Sequence, residues 1–221
     1  MDAADLDPAV YARVLHDLAR VNRWTFTAWP ALAFLARAVG GQKHFRLLDV
    51  GFGDGDVLRA IHRWAERHEI TVDLVGVDLN PNSLAAARAA TPADMAIDYR
   101  IGDYREQAGP FDFIISSQVA HHMTDAQLQA FIRHMEAQAR RGWLICDLHR
   151  HGFAYRGYPL LAWLLRVHRI VREDGRLSIA RSFRPGEWRT ILDEAGVESD
   201  AVQIRRRFAF RLAVERLRQA R

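Results

Sequence analysis

The sequence predicts a doubly wound α/β domain with a seven-stranded, mostly parallel sheet and an antiparallel strand at its C-terminal end. Three observations support this prediction. Short apolar runs alternate with helical patterns between residues 43 and 148, a glycine-rich turn follows the first run, and two alternating runs, 202–208 and 210–214, form a closing hairpin. Such sheets bind ligands at the carboxyl ends of their strands. The residues that follow each strand are therefore the candidate site.

The first strand and its turn are the most informative stretch of the chain. An apolar run over 45–50 leads into Gly51-Phe52-Gly53-Asp54-Gly55, and an apolar helix face over 57–65 follows at once. Glycine lets the backbone turn tightly and approach a ligand with no Cβ in the way. Counted from Asp49, the spacing is D-x-G-x-G-x-G. Asp56 stands where the dinucleotide-binding pattern G-x-G-x-x-G has its last glycine.

Acidic residues follow the second and third predicted strands. The run 73–78 is predicted as a buried strand that ends in Asp78, and Asn80-Pro81 begins the next helix with a side-chain cap and a first-turn proline. The alternating run 97–101 is followed by Gly102-Asp103-Tyr104. Because carboxylates accept hydrogen bonds, these acids suit a ligand that presents hydroxyl and amino donors.

Together these residues resemble the motifs of the class I S-adenosylmethionine-dependent methyltransferases, over roughly residues 43 to 148. The resemblance implies a Rossmann-like fold, S-adenosylmethionine as the methyl donor and S-adenosylhomocysteine as the product. It also implies that Asp49 lies near the methionine amino group, that Asp78 accepts hydrogen bonds from the ribose, and that Asp103 and Tyr104 lie beside the adenine. The predicted donor-binding residues are Asp49, Gly51, Phe52, Gly53, Gly55, Asp78, Leu79, Asp103, Tyr104 and Ser117.

Histidines follow the fourth predicted strand, 111–116, and the fifth, 143–147. A hydroxyl nucleophile needs a base, and histidine is suited because its unperturbed pKa lies near neutrality. His121, His122 and His149 are the candidate catalytic residues, and at most one or two of them are expected to act, since adjacent histidines rarely both point inward. Asp147 and His151 are further candidate bases. No metal site is expected, because these residues lack compact ligand spacing.

The remaining segments predict how the site is covered. Residues 1–42 predict an N-terminal helical cap on a domain over 43–221, and the aromatic, leucine-rich stretch 149–184 predicts a helical lid. Thr124 and Gln127 form a capping box at the start of a helix, which Arg140-Arg141-Gly142 is predicted to end. An apolar lid over the crevice favours a small aromatic or lipid-like acceptor, such as a phenol, a quinol or a polyketide ring, methylated on oxygen or carbon.

Three alternatives to this function remain open. The pI near 9.7 and Arg205-Arg206-Arg207 favour an RNA methyltransferase. However, the Asn/Asp-Pro-Pro-aromatic tetrad of amino-methylating nucleic-acid enzymes is missing after the fourth strand, so nucleic acid is not the expected partner. A non-catalytic S-adenosylmethionine-binding protein is also compatible with the glycine loop. An oxidoreductase fits the fold class, but the glycine spacing argues against it.

The cysteine content, the N-terminal residues and the apolar stretches predict the compartment of the protein. The single cysteine, Cys146, excludes an internal disulfide and fits a reducing compartment. The N-terminal residues lack the basic start and apolar core of a signal peptide, and charged residues interrupt the longest apolar stretch, 158–171. We therefore expect a cytoplasmic protein with no transmembrane segment, as a monomer or homodimer. Peripheral membrane contact remains open, since the net charge is +4.

Overall fold

The computed structural model describes residues 8–218, in which seven strands form one sheet. The strand order is β3-β2-β1-β4-β5-β7-β6. Strands β1 to β5 are parallel, β7 runs antiparallel to β5, and β6 runs antiparallel to β7. The predicted doubly wound sheet is therefore confirmed. The strands are β1 His44–Val50, β2 Thr71–Asp78, β3 Ile97–Ile101, β4 Phe111–Ser117, β5 Ala139–Leu148, β6 Gln203–Arg207 and β7 Arg211–Leu217.

Helices cover both faces of this sheet and bury two apolar cores. On one face Phe131 and Trp188 pack in a fully buried cluster with Trp143 of β5, and on the other Phe34 and Leu58 do the same. Each such side chain contributes about 1.5–3 kcal/mol through removal of apolar surface from water. Within the described part of the chain the helices are α1 Pro8–Trp24, α2 Trp29–Ala38, α3 Asp56–Arg67, α4 Pro81–Ala90, α5 Asp125–Gln138, α6 Gly152–Leu164, α7 Arg169–Arg181 and α8 Pro185–Glu194.

The strand order reverses between β1 and β4, which are parallel neighbours, so that their carboxyl ends lie at the same edge of the sheet. Such a reversal opens a crevice, because the connections from the two strands run to opposite faces of the sheet. The glycine turn after β1 and the segment after β4 therefore face each other across this crevice.

The predicted cap over 1–42 contains two helices with different neighbours. Helix α2 packs on the sheet, where Phe34 is fully buried and its ring meets that of Phe113 at 5.9 Å between centroids. Helix α1 instead packs through Val14 and Val21 against α6 and α7. Residues 1–7 of this segment lie outside the described residues. Of these two helices, α1 is the one that contributes, together with α6 and α7, to the cover over the strand ends.

One local prediction was wrong. The run 140–142 does not end a helix: α5 ends at Gln138 and these residues belong to β5. Glycine is needed there for a different reason, since a Cβ on Gly142 would lie 2.4 Å from the Arg216 carbonyl oxygen in the neighbouring strand. Helix α7 includes Asp174-Gly175, and the Tyr158 ring occupies the space that a side chain at Gly175 would need.

None of the helices described within residues 8–218 combines the length and the apolar composition that crossing a membrane requires.

Candidate active site

A cavity of about 850 Å³ lies at the carboxyl ends of the strands. On the side of β2 and β3 its wall is formed by the glycine turn and by residues 77–80 and 102–105. On the side of β5 and β7 its wall is formed by α1, α6, α7 and residues 209–211. The volume is in the upper part of the range of small-molecule sites, which is about 300–1,000 Å³.

The glycine turn after β1 has a backbone that only glycine adopts without strain. Gly51, Gly53 and Gly55 all have positive φ, at 79°, 58° and 78°. A Cβ on Gly51 would lie 2.4 Å from the Val119 side chain. At Gly53 nothing lies within 4 Å of such a Cβ, so this part of the turn leaves open space. The turn is therefore closely packed at Gly51 and open at Gly53, where a ligand could lie against the backbone.

Asp49 places a buried carboxylate beside this turn. Its side chain is 1% exposed, and among the described residues its Oδ1 atom has no hydrogen-bond partner. Burial raises the pKa of Asp49 well above its usual range, and the neighbouring charges of Asp56 and Asp78 raise it further. A buried carboxylate in this state gains from a cationic ligand group, which would both neutralise it and supply the missing hydrogen bond.

Asp56 is a second acid at the turn, half-buried, and Asn22 of α1 links it to the rest of the site. The Asn22 side-chain amide donates to Asp56 Oδ2 over 3.4 Å. The side-chain oxygen Oδ1 of Asn22 accepts hydrogen bonds from the Thr27 hydroxyl at 3.2 Å and from the Gln118 amide at 3.0 Å. Asn22 could not be predicted as a site residue, because no local pattern connects it to partners that lie 34 and 96 positions away along the chain.

The pKa of Asp56 gives a testable dependence of stability on pH. Burial first, and then the charge of Asp54, raise this pKa from 3.8 to about 6. The folded protein therefore keeps a proton that the unfolded chain loses between these values, so the free energy of unfolding falls as the pH rises from 3.8 to about 6. Asp56→Asn is expected to raise the free energy of unfolding at pH 8 by on the order of 2 kcal/mol.

Urea unfolding of Asp56→Asn and wild type at pH 8 and pH 4 checks this prediction. The gain is expected to disappear near pH 4, where both folded and unfolded wild type carry much of the proton. An equal gain at the two pH values would show that the substitution acts through packing rather than through the charge.

The carboxylates of Asp78 and Asp103 are already ordered by hydrogen bonds. Asp78 accepts from the backbone N–H of Gly53 and of Asn80, each at 2.9 Å. Asp103 accepts from the backbone and side chain of Arg105, and these side-chain hydrogen bonds, the largest cause, lower its pKa. Since a carboxylate has about four acceptor positions, Asp78 keeps two for a ligand and Asp103 keeps one.

The other predicted donor-binding residues line the cavity to different degrees. Leu79 is 76% exposed, whereas Phe52 is 3% exposed and packs mainly on the Tyr99 ring. The ring of Tyr104 is held by edge contacts with Phe131 and His134. The Ser117 hydroxyl is buried and has no partner among residues 8–218.

His121, which lines the cavity, forms a buried pair with Asp147. His121 follows β4, and Asp147 is the next-to-last residue of β5. Their side chains are 3% and 0% exposed. The ring nitrogen Nδ1 lies 2.7 Å from Asp147 Oδ1, and the His121 backbone N–H donates to Oδ2 over 2.8 Å. Because the carboxylate only accepts, Nδ1 carries the hydrogen. Nε2 is then the nitrogen that can accept a proton when the ring is neutral.

The three candidate histidines are not equivalent. His122 also lines the cavity, with its ring 4.1 Å from that of His121. His149 does not line it, so the structure does not bring this candidate to the site. Its backbone N–H bonds to the Phe210 carbonyl oxygen, and burial, followed by the charges of His151 and Arg206, lowers its pKa. His151 is likewise absent from the wall and stacks on Phe210.

Comparison with known proteins identifies the type of domain. A family model described as a methyltransferase domain matches residues 47–142. The fold is similar to that of magnesium protoporphyrin IX methyltransferase from Synechocystis, solved with bound SAH, at 17% identity and a TM-score of 0.58 over 99% of this chain and 90% of that one. No curated protein matches the chain.

Two longer proteins share the fold as well. Human N-acetylserotonin methyltransferase, solved with SAM, has 16% identity and a TM-score of 0.64, over 100% of this chain and 61% of its own. An O-methyltransferase family 2 protein from Planctomyces limnophilus, solved with apigenin, has 17% identity and a TM-score of 0.65, over 98% of this chain and 63% of its own. This chain therefore spans less than two thirds of these two proteins.

The residues of the cavity fit S-adenosylmethionine. The open space at Gly53 accommodates a ligand against the backbone, and the Asp49 oxygen that has no partner among the described residues suits the ammonium of an amino-acid group. Asp78 keeps acceptor positions for hydroxyl groups. With the match to the methyltransferase family model, residues 47–142 are a methyltransferase domain, and the chain shares the fold of S-adenosylmethionine-dependent methyltransferases.

Proposed function

We propose that this enzyme methylates a hydroxyl group, or an acidic carbon, of a small aromatic or lipid-like acceptor, with His121 as general base. The observation that carries the proposal is that His121, which is hydrogen-bonded to Asp147, lines the same cavity as the glycine turn. Phenols, quinols and polyketide rings are the acceptors that need such a base, because their nucleophilic atom loses a proton when it is methylated.

The donor-binding residues are assigned by the same proposal. Asp49 pairs with the amino group of the donor, Asp78 accepts from the ribose hydroxyls, and Asp103 accepts from the adenine amino group beside the Tyr104 ring. Gly51, Gly53 and Gly55 let the backbone pass close to the ligand, while Phe52, Leu79 and Ser117 complete the wall. The hydrogen bonds that already hold Asp78 and Asp103 support these roles, since they fix the carboxylates before a ligand arrives.

The chain supplies orientation and proton transfer. When bound, S-adenosylmethionine provides a methyl group on a positively charged sulfur, which makes the group open to in-line displacement. Asp147 holds the His121 ring in one tautomer and one orientation, so that Nε2 takes the proton of the acceptor. Helices α1, α6 and α7 cover the strand ends and limit the access of water.

The lining on the side of β5 and β7 supports an apolar acceptor. It includes Phe153, Tyr158 and Leu161 of α6 and Ile179 of α7. The solved neighbours include a protein crystallised with apigenin and a magnesium protoporphyrin IX methyltransferase. An aromatic acceptor therefore agrees with both the lining and the neighbours.

A nucleic-acid acceptor receives less support from the surface charge. In the run 205–207, Arg205 and Arg207 both pair with the buried Glu215, at 3.4 Å and 3.1 Å. Part of the positive charge that favours RNA is thus neutralised within the protein. Arg206 remains exposed.

The proposal is tested by incubating the enzyme with S-adenosylmethionine and a panel of phenols, quinols and hydroxylated polyketide rings, with tRNA and rRNA alongside. Mass spectrometry is expected to find products that carry one added methyl group within the small-molecule panel. Methylation of RNA alone would replace this proposal with the nucleic-acid alternative. Binding of S-adenosylhomocysteine without turnover of any acceptor would favour the non-catalytic alternative.

A further inference from the structure

Arg211 is a buried cation on the cavity wall that neither the donor-binding residues nor the His121–Asp147 pair explains. It begins β7 and is 2% exposed. Its guanidinium donates to three neutral oxygens: the Thr25 carbonyl at 2.8 Å, the Thr25 hydroxyl at 2.8 Å and the Thr27 hydroxyl at 2.6 Å. Within residues 8–218, Nε has no hydrogen-bond partner. Two of the five N–H groups of this guanidinium thus remain without an assigned acceptor.

No carboxylate of the described residues forms an ion pair with Arg211, although two lie near enough to act on it through space. Burial lowers the pKa of Arg211, whereas Asp147 and Asp56 oppose this effect. Asp147 is committed to His121, and Asp56 accepts from Asn22. Buried arginines are usually paired with an anion, because an uncompensated buried charge is costly.

The surroundings of Arg211 connect the two sides of the cavity. Ala209 and Phe210, which precede it, line the wall on the side of β5 and β7. Thr27, which accepts from its guanidinium, also donates to Asn22, and Asn22 reaches Asp56 at the glycine turn. An anion beside Arg211 would therefore lie next to either the amino-acid part of the donor or the acceptor.

We propose that Arg211 binds a ligand carboxylate inside the cavity. The carboxylate belongs either to the amino-acid part of the donor or to an acidic acceptor, and the two sources share the same recognition chemistry. The Arg211 guanidinium is already oriented by Thr25 and Thr27. It can therefore bind a carboxylate at a low cost in side-chain entropy, because its conformation is fixed before binding. The acceptor source rests on the proposed function, whereas the donor source requires only that the protein binds S-adenosylhomocysteine.

Calorimetric titration with two ligand pairs tests this inference. The first pair is S-adenosylhomocysteine and its decarboxylated analogue. The second is 4-hydroxybenzoate and phenol, each added to the protein loaded with S-adenosylhomocysteine. Wild type is expected to prefer the carboxylated member of one pair by about tenfold to a hundredfold, the effect of a charge-assisted hydrogen bond. The pair that shows the preference identifies the source.

Variants then assign the preference to Arg211. Arg211→Gln is expected to remove the preference by weakening only the carboxylated ligand, and Arg211→Lys is expected to restore part of it. Arg207→Gln is the matched control, because Arg207 is a nearby half-buried arginine that pairs with Glu215 and does not line the cavity. It should keep the wild-type preference.

Two results would overturn the inference. The first is that the wild-type protein binds both members of each pair equally well. This result is independent of whether any variant folds. The second is an Arg211→Gln protein that weakens both members of a pair equally, as a purely structural tie between β7 and Thr25 would do. Because every readout is a binding constant, a failure to methylate any acceptor would contradict the proposed function without affecting this test of the donor source.

Discussion

His121→Gln is expected to lower kcat by about a hundredfold to ten-thousandfold while leaving the affinity for S-adenosylhomocysteine within about twofold, the pattern of a lost general base. The physical reason is that His121 supplies the proton acceptor, whereas the donor is held by other residues. Steady-state kinetics with a methylated acceptor from the panel, together with titration of the product, measure the two effects separately.

His149→Gln is the matched control, since it removes a histidine that also follows a strand but does not line the cavity. Its kcat should stay close to that of wild type. Asp147→Asn should also lower kcat, and the double variant with His121→Gln should be no slower than His121→Gln alone, because Asp147 acts through His121. Additive losses would mean that Asp147 has a separate role, and a normal kcat for His121→Gln would remove it as the base.

Gly51→Ala is expected to abolish measurable binding of S-adenosylhomocysteine. The new Cβ would lie 2.4 Å from the Val119 side chain at a residue with φ of +79°, so the turn has to move away from its ligand-binding position. Calorimetry checks the affinity, and thermal unfolding checks that the domain still folds. The conformational strain alone costs about 1 kcal/mol, which the large cores of the sheet can absorb.

Gly41→Ala separates strain from contact. Gly41 has almost the same φ, +80°, but nothing lies within 4 Å of its added Cβ and it lies outside the cavity wall. This control should lose a similar amount of stability from strain and keep its affinity for the ligand. If Gly51→Ala bound the ligand as tightly as Gly41→Ala does, the turn would not be the donor site.

Much of the fold could be predicted because its signals are local. The capping box of Thr124 and Gln127 and the cap of Asn80 on Asn82 are both present in the structure. The failure at Gly142 is instructive, since glycine serves both as a helix stop and as a residue that lets two strands approach closely. Only the neighbouring strand β7, which lies more than sixty residues further along the chain, distinguishes the two uses.

The site was predictable where one strand and its following turn contain it. Asp49, Asp78 and the glycines follow this rule. His121 and Asp147 come from two strands, and they meet because β4 and β5 are neighbours in the sheet. His149, the residue directly after β5, does not line the cavity, and its backbone N–H bonds to the Phe210 carbonyl oxygen. Asn22 and Arg211 could not be found, because their partners are up to 96 and 186 residues distant and carry no motif.

The central claim is that the cavity at the glycine turn binds the adenosyl donor, and calorimetric titration of the wild-type protein tests it most directly. We expect saturable binding of S-adenosylmethionine and S-adenosylhomocysteine at one site per chain, and no binding of a nicotinamide dinucleotide. Binding of the nicotinamide dinucleotide in their place would contradict the account and return the oxidoreductase alternative.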